Sequence, residues 1–305
     1  MTCIAVFNQQ GGVGKTTTVL SLAGLLHRQG RPVLAIDLDP QAHLTTACGV
    51  ASPGLEETAF AIYSRGASAG SLEVVTTPGF RLLPAQAGLA CVETRFGRGP
   101  SVMSRLAKCL AQEPPGRPLL LDVSTHPEVL ARSSIVSCDS LLIPISADFR
   151  AMQAALQMDK MLKAMEPVLK RRVRRRYLIT RYDARRNLAA DVERALRQTF
   201  GGEVCETRIA ESPAYRADIL SHAPDSRGAE DYAALMQELR HSDFWTPRAD
   251  APPSPPRLSF SERLALERHK RQQFQNQLAA GLGLTRQRHA TTSPPALQLK
   301  HPAAK

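Results

Sequence analysis

The chain has 305 residues, of which 43% are hydrophobic, 22% charged and 5% aromatic, a composition typical of a folded globular protein. The formal net charge of +11 favours an anionic partner, although a basic surface that only keeps the protein in solution gives the same value. The six cysteines have no CxxC pair and no spacing typical of metal ligands, so we expect buried thiols in a reducing cytosol.

The N-terminal residues 2–7, TCIAVF, are too short for the apolar core of an export signal and lead directly into a glycine-rich run. No apolar run reaches the ~18 residues that a transmembrane helix needs. We therefore expect a soluble, cytoplasmic protein.

Short apolar runs alternate along the chain with helical patterns. The predicted strands are Cys3–Asn8, Pro32–Asp37, Phe80–Pro84, Leu119–Asp122, Leu141–Ile145, Tyr177–Thr180 and Glu203–Ile209. The predicted helices include Lys15–Gln29, Ser101–Gln112, Ala151–Met165 and Ala189–Phe200. Continuous apolar strands indicate burial on both faces. The alternation therefore predicts an α/β fold with a doubly wound, mostly parallel sheet.

The composition changes near Trp245, which ends the predicted domain 1–245. Residues 246–258 are rich in proline and predict an extended linker. Residues 259–283 begin with a capping-box pattern and predict an amphipathic helical segment. Residues 284–305 predict a disordered tail. Residues 246–305 contain ten Lys and Arg but three Asp and Glu, so most of the excess positive charge lies there.

Residues 8–18 read NQQGGVGKTTT and join the first predicted strand to the first helix. This context is typical of a phosphate-binding loop, whose glycines let successive backbone N–H groups point at phosphate oxygens. The residues expected to bind the nucleotide are Gly11, Gly12, Val13, Gly14, Lys15, Thr16 and Thr17. The ammonium of Lys15 would neutralise the β- and γ-phosphates, and the hydroxyl of Thr16 would bind Mg²⁺.

Three aspartates stand at the ends of predicted strands, where doubly wound folds bind ligands. LLLD places Asp122 at the end of a buried strand, as a carboxylate that holds a metal-bound water. AIDLDPQ places Asp37 and Asp39 at the end of the second strand. For Asp39 alone, a turn or helix-cap role is an equally good interpretation.

These motifs resemble the ParA branch of the ParA/MinD ATPases, which have a deviant phosphate loop (deviant Walker A). The quoted matches are NQQGGVGKTTT, VLAIDLDPQAHLT, LLLDVSTHPEVLARSSIVSCDSLLIPI, LITRYDARRNLAADVERAL and TRIAESPAYR, which span roughly residues 2–240. The resemblance implies a P-loop NTPase fold, ATP and Mg²⁺ as ligands, and a homodimer when ATP is bound. It also implies non-specific DNA binding on the nucleoid, slow hydrolysis stimulated by a ParB-like protein, and partitioning of plasmid or chromosomal DNA.

The resemblance also assigns roles to individual residues. Asp39 matches the carboxylate that positions the attacking water, so Lys15 and Asp39 are the expected catalytic pair. Asp37 matches its neighbour in the metal network, and Asp122 matches the Walker B aspartate. The positions that match the adenine contacts are Thr180, Arg181, Arg208 and Ile209.

The chain departs from the family at Gln10, because the family reads NQKGG where this chain reads NQQGG. By resemblance, the missing lysine reaches the phosphates of the partner protomer. Two interpretations follow: slow hydrolysis, with another cation such as Arg150 substituting, or a nucleotide-gated binder with little turnover. We favour weak ATPase activity. Ser124 and Thr125 stand where relatives usually have prolines, so we expect the loop after Asp122 to have a different conformation from that of the relatives.

The densest run of positive charge is KRRVRRR at residues 170–176. The residues expected to contact DNA phosphates are Lys170, Arg171, Arg172, Arg174, Arg175, Arg176 and Arg216. Such contacts give affinity that is independent of sequence and sensitive to salt. A solvated helix end is the simpler alternative.

A function of a different class also fits the sequence: a nucleotide-gated positioning scaffold for a protein or membrane-associated assembly. Membrane binding by the segment 259–283 is disfavoured, because charged residues interrupt its apolar stripe.

Overall fold

A computed structural model describes residues 2–126, 128–211 and 226–247, and the strands in these ranges form one eight-stranded sheet. The strands are β1 (Thr2–Val6), β2 (Leu34–Leu38), β3 (Val74–Val75), β4 (Arg81–Leu83), β5 (Pro118–Val123), β6 (Ser140–Ser146), β7 (Arg174–Tyr182) and β8 (Val204–Ala210). Their order is β3-β4-β2-β5-β1-β6-β7-β8. All neighbouring strands are parallel except the pair β3 and β4, which is antiparallel.

Helices connect the strands and cover the sheet. In the described ranges they are α1 (Lys15–Arg28), α2 (His43–Ala47), α3 (Phe60–Arg65), α4 (Val92–Phe96), α5 (Pro100–Leu110), α6 (Glu128–Ser137), α7 (Ala151–Leu169), α8 (Asn187–Phe200) and α9 (Arg227–Arg240). Within these ranges, no helix has the length and hydropathy of a transmembrane span.

The core lies in two apolar layers, one on each face of the sheet. In β1, Cys3 and Ala5 belong to one layer, while Ile4 and Val6 belong to the other, because successive side chains of a strand point to opposite faces. Helices α3, α5, α6, α7 and α8 contribute to the first layer, and α1, α2 and α9 contribute to the second. The predicted fold class, an α/β doubly wound and mostly parallel sheet, is confirmed.

Helix α9 closes the edge of the sheet at β8. The carboxylate of Glu238 accepts hydrogen bonds from the backbone amides of Glu206 and Thr207, both 2.8 Å long. The carboxylate of Asp231 accepts one from the amide of Ala210, also 2.8 Å long. Edge strands present unpaired N–H groups, and here carboxylates of the covering helix satisfy three of them.

The predicted linker lies almost wholly outside the described residues, and so do the predicted helical segment 259–283 and the predicted tail 284–305. Their boundaries stay predictions. Five of the six cysteines are buried, as expected, whereas Cys91 is exposed.

Candidate functional site

The glycine-rich run leaves the end of β1 and turns sharply before helix α1. Gly12 and Gly14 have φ angles of 72° and 88°, in the left-handed region that side chains disfavour, so glycine is needed at both positions. Two hydroxyls fasten the turn: Thr180 donates to the carbonyl of Val13 at 2.9 Å, and Thr18 donates to the carbonyl of Gly14 at 2.7 Å. These two bonds fix the turn of the loop to strand β7 and to the first turn of helix α1.

Asn8 and Lys15 fix the first part of the loop. The side chain of Asn8 donates to the carbonyl of Pro144 at 2.7 Å and accepts from the amide of Gln10 at 3.0 Å. The ammonium of Lys15 folds back and donates to the carbonyl of Gln10 at 3.0 Å. Burial lowers the pKa of Lys15, and the charges of Asp122 and Asp39 oppose this shift. The lysine is thus placed between the loop and the carboxylates, where a phosphate would sit.

An open cavity of about 1210 Å³ lies beside the loop. The residues that line it are Gly11, Gly12, Gly14, Lys15, Thr16, Thr17, Leu20, Asp39, Gln41, His43, Thr46, Ala47, Ser124, Thr125, Thr180, Arg181, Ile209, Glu211 and Tyr232. This volume is large enough for a nucleotide. Most of the predicted phosphate-loop residues, Asp39 and three of the four predicted adenine contacts therefore share one cavity.

Two of the aspartates meet at the carboxyl edge of the sheet. Asp37 and Asp122 are register partners in neighbouring strands β2 and β5, and both are buried. Burial, joined by the charges of Asp37 and Asp39, raises the pKa of Asp122 to about 8. Burial likewise raises the pKa of Asp37 to about 6. Crowded carboxylates of this kind are stabilised in their charged form by a nearby cation.

The residues at Asp122 fit a magnesium ion. The Oδ2 atom of Asp122 is buried and has no hydrogen-bond partner in the described part of the chain, while Thr16 hydrogen-bonds the same carboxylate. In residues 2–126, 128–211 and 226–247 no three His, Cys, Asp or Glu side chains form a metal cluster. Mg²⁺ suits such a site because it keeps several waters and binds substrate phosphates beside one or two protein ligands. The hydroxyl of Thr16 and the carboxylate of Asp122 would hold it.

Asp37 and Asp39 differ in their surroundings. The Oδ2 atom of Asp37 accepts from the amide and the hydroxyl of Thr45, at 2.9 and 2.7 Å, and its Oδ1 atom accepts from the amide of Asp39 at 3.0 Å. These bonds hold the turn that presents Asp39. The carboxylate of Asp39 is half-buried and faces the cavity, where it accepts from the amide of Gln41 at 2.8 Å. Asp37 is placed to position Asp39, whereas its part in the metal network stays a prediction.

The predicted adenine contacts divide into two groups. Thr180, Arg181 and Ile209 line the cavity, and Arg181 is paired with Glu211 at 3.0 Å. The backbone of Arg181 has a φ of 53°, which costs a residue other than glycine about 1–2 kcal/mol. Arg208 lies elsewhere: its guanidinium pairs with Glu193 at 2.9 Å and stacks over a tyrosine ring. Arg208 is not among the residues that line the cavity, and its contact with the nucleotide stays a prediction.

The basic run 170–176 lies at the amino edge of the sheet, opposite the cavity, because it precedes and begins β7. The side chain of Arg175 is 2% exposed and pairs with Asp159, Glu166 and Glu203. Arg175 is thus a buried structural residue and is not available to DNA.

The other residues of the basic run differ in exposure. Arg171 donates to three carbonyls at the end of α6, including that of Ile135 at 3.0 Å. Arg174 donates to the carbonyl of Thr246, and Arg176 to that of Gly202. Lys170 and Arg172 are exposed. DNA contact stays a prediction for these residues, and Arg216 lies outside the described residues.

Several residues that line the cavity were not predicted. They are Leu20, Gln41, His43, Thr46, Ala47 and Tyr232. Gln41 and His43 follow Asp39 by two and four residues, so their proximity in sequence is a signal that could have identified them. Tyr232 comes from α9, more than two hundred residues after the phosphate loop, and no local pattern marks it.

The comparisons with known proteins agree with this geometry. The model of the AAA domain family matches residues 1–174. The chain is 34% identical to the chromosome-partitioning ATPase Soj of Thermus thermophilus, over 77% of this chain and 94% of Soj. It is 28% identical to the chromosome partitioning protein ParA of Caulobacter vibrioides, over 77% and 92% of the two chains. Its structure is similar to cobyrinic acid a,c-diamide synthase from Mycobacterium smegmatis with bound ADP and magnesium, with a TM-score of 0.70 and 25% identity over 84% and 99% of the chains.

Proposed function

The chain belongs to the ParA/Soj family of partitioning ATPases, and we propose that it partitions plasmid or chromosomal DNA as an ATP-dependent homodimer. It is a P-loop ATPase that hydrolyses ATP with Mg²⁺. In the proposed cycle, ATP joins two copies of the chain, and the dimer binds DNA without regard to sequence. A ParB-like protein then stimulates hydrolysis and releases the dimer. This cycle takes place in the cytoplasm, on the nucleoid.

One observation carries the proposal: the phosphate loop, Lys15 and the carboxylate of Asp39 share one open cavity. Lys15 and the loop amides would hold the phosphates, and Asp39 would orient the attacking water. Gly11 and Gly12 are exposed at the rim of the same cavity. A second copy that packs against this rim would cover the triphosphate, so dimer formation and nucleotide binding would depend on each other.

Asp39→Ala is expected to lower ATP turnover by about 10²- to 10⁴-fold, the usual contribution of a positioned acid or base, while the protein still binds ATP. Because the bound triphosphate then persists, the variant should accumulate as an ATP-bound dimer that holds DNA. The measurements are phosphate release, light scattering after size exclusion, and fluorescence anisotropy with two unrelated DNA duplexes.

Asp191→Ala is the matched control, because Asp191 is an exposed aspartate on α8 that pairs with Arg194. This control should behave as the wild type. If ATP leaves both the wild type and Asp39→Ala monomeric, the proposed cycle is wrong. If Asp39→Ala hydrolyses ATP at the wild-type rate, Asp39 does not orient the water.

The exposed members of the basic run make a second expectation testable. Lys170→Ala combined with Arg172→Ala should weaken DNA binding equally for all sequences. The slope of log affinity against log salt should become shallower by about 1.8, since each phosphate contact contributes about 0.9. The control combines Arg132→Ala with Arg194→Ala, two exposed arginines that also pair with carboxylates. If the slope of log affinity against log salt does not change, Lys170 and Arg172 do not contact DNA phosphates.

The second candidate is a nucleotide-gated positioning scaffold with little turnover. Gln10 favours it, because its neutral amide stands where the family has a lysine. Charge-assisted contacts to phosphate are about twice as strong as neutral ones, so the substitution should impair hydrolysis more than binding. The two candidates differ in phosphate release with DNA and a ParB-like protein present: release by the partitioning ATPase would rise, whereas release by the scaffold would stay at its low basal rate.

A further inference from the structure

Tyr232 connects helix α9 to the phosphate loop. Its side chain is 1% exposed, and its hydroxyl lies 3.2 Å from Oγ1 of Thr18. Thr18 has one hydroxyl proton, which it donates to the carbonyl of Gly14. The hydroxyl of Thr18 therefore hydrogen-bonds both the hydroxyl of Tyr232 and the carbonyl of Gly14, and it links helix α9 to the turn of the phosphate loop.

Helix α9 also holds a second part of the cavity lining, at the end of β8. Its residue Asp231 accepts a hydrogen bond from the amide of Ala210. Ala210 lies between Ile209 and Glu211, both of which line the cavity. The neighbouring Tyr232 lines it as well. Helix α9 thus contacts two parts of the site. Asp231 holds the end of β8, and the hydroxyl of Tyr232 contacts the turn of the phosphate loop through Thr18.

We propose that Tyr232 is a positioning residue, whose hydroxyl orients Thr18 and thereby fixes the Gly14 carbonyl and the phosphate loop. This inference rests on the proposed nucleotide site. Gly14 has a left-handed backbone, and its carbonyl accepts from both the amide and the hydroxyl of Thr18, at 2.9 and 2.7 Å. Without the tyrosine hydroxyl, that of Thr18 can rotate away. The Tyr232 ring keeps its place in the cavity wall, so only the phosphate side of the site is affected.

Tyr232→Phe removes the hydroxyl and keeps the ring. We expect affinity for ATP and for tripolyphosphate to fall about 3- to 10-fold, the usual value of one hydrogen bond. Inhibition by adenosine should not change, because adenosine does not contact the phosphate loop. The measurements are calorimetry with ATP and tripolyphosphate, and the inhibition of phosphate release by adenosine.

Tyr63→Phe is the matched control. Tyr63 is fully buried in the other apolar layer, and its hydroxyl pairs with Oγ of Ser133 at 2.7 Å. Both variants lose one buried hydroxyl pair, so their melting temperatures should fall by similar amounts. If Tyr232→Phe acts only through a general loss of stability, the two variants should bind ATP and tripolyphosphate with equal affinity. That result would overturn the inference.

Thr18 supplies a second comparison. Thr18→Ser keeps the hydroxyl and should retain affinity for tripolyphosphate, whereas Thr18→Val should resemble Tyr232→Phe. Lys15→Ala separates the inference from the proposed site: if that variant binds ATP as tightly as the wild type, the site itself is wrong. If Lys15→Ala no longer binds ATP while Tyr232→Phe and Tyr63→Phe have equal affinities, the nucleotide site is supported and the proposed role of Tyr232 is wrong.

Discussion

Lys15→Ala is expected to weaken ATP binding by about 10- to 100-fold, as for other buried hydrogen bonds to charged groups. Turnover should fall by a further 10²- to 10³-fold or so, the usual cost of removing a charge stabiliser from a transition state. The ammonium lies between the carbonyl of Gln10 and the carboxylates of Asp122 and Asp39. Its loss removes the positive charge that a triphosphate needs there and leaves the carboxylates to repel the ligand.

Calorimetry with ATP and Mg²⁺, together with phosphate release, measures both effects. Lys163→Ala is the control, because Lys163 is an exposed lysine that pairs with Asp159 on the far side of the sheet. Its removal changes the net charge equally and should leave ATP binding intact. Equal affinity in Lys15→Ala and Lys163→Ala would show that the phosphate loop does not bind the nucleotide.

The strands and the phosphate loop could be predicted because each is encoded by a short stretch of sequence. The predicted strand Tyr177–Thr180 lies within β7, and Glu203–Ile209 nearly coincides with β8. Apolar runs of this length, bounded by polar residues, leave few alternatives when helical patterns separate them. The glycines of the loop are equally local, since a left-handed turn limits the choice of residue at that position.

Other parts of the site depend on contacts between distant segments. Tyr232 reaches the loop only because α9 packs on α1 and on the edge strand β8. Arg208 lies in the predicted segment of sequence, yet its side chain turns toward Glu193. A motif places a residue on a strand end, but the pleat of the strand and the neighbouring charges decide where its side chain points.

The basic run 170–176 likewise shows that the sequence alone does not predict which charged side chains are exposed. In sequence, Arg175 is one of six cations within seven residues. In the structure, it pairs with three carboxylates: two come from α7, and the third is Glu203, the residue before β8. Burial of a charge requires such partners, and they come from segments that sequence spacing does not connect. A run of positive charge therefore predicts a basic surface only for the members that remain exposed.

Gln10→Lys is expected to raise ATP turnover by about tenfold or more. A lysine here would bring its charge to the phosphates of the partner protomer. An arginine that acts in this way, the arginine finger, raises the rate of related phosphoryl transfers by about 10³- to 10⁵-fold. Even the difference between a neutral and a charged hydrogen bond, about 1–1.5 kcal/mol, corresponds to about tenfold. The substitution breaks no hydrogen bond of the Gln10 Oε1 atom, because this atom has no partner in the described residues. Phosphate release, measured with and without DNA, tests the expectation.

Gln9→Lys is the matched control, since it adds the same charge one residue earlier, at an exposed side chain. Gln9→Lys should leave the rate of ATP turnover unchanged, because the charge acts only from position 10. Variants of Arg150 test whether this cation substitutes for the missing lysine. The exposed guanidinium of Arg150 stacks on Phe149, 5.3 Å from the ring centre, at the start of α7. If Arg150 replaces the missing lysine, Arg150→Ala abolishes turnover and Gln10→Lys restores it in the double variant. If Arg150→Ala has no effect and Gln10→Lys does not raise the rate, hydrolysis is limited elsewhere, and the loop at Ser124 and Thr125 becomes the next place to change.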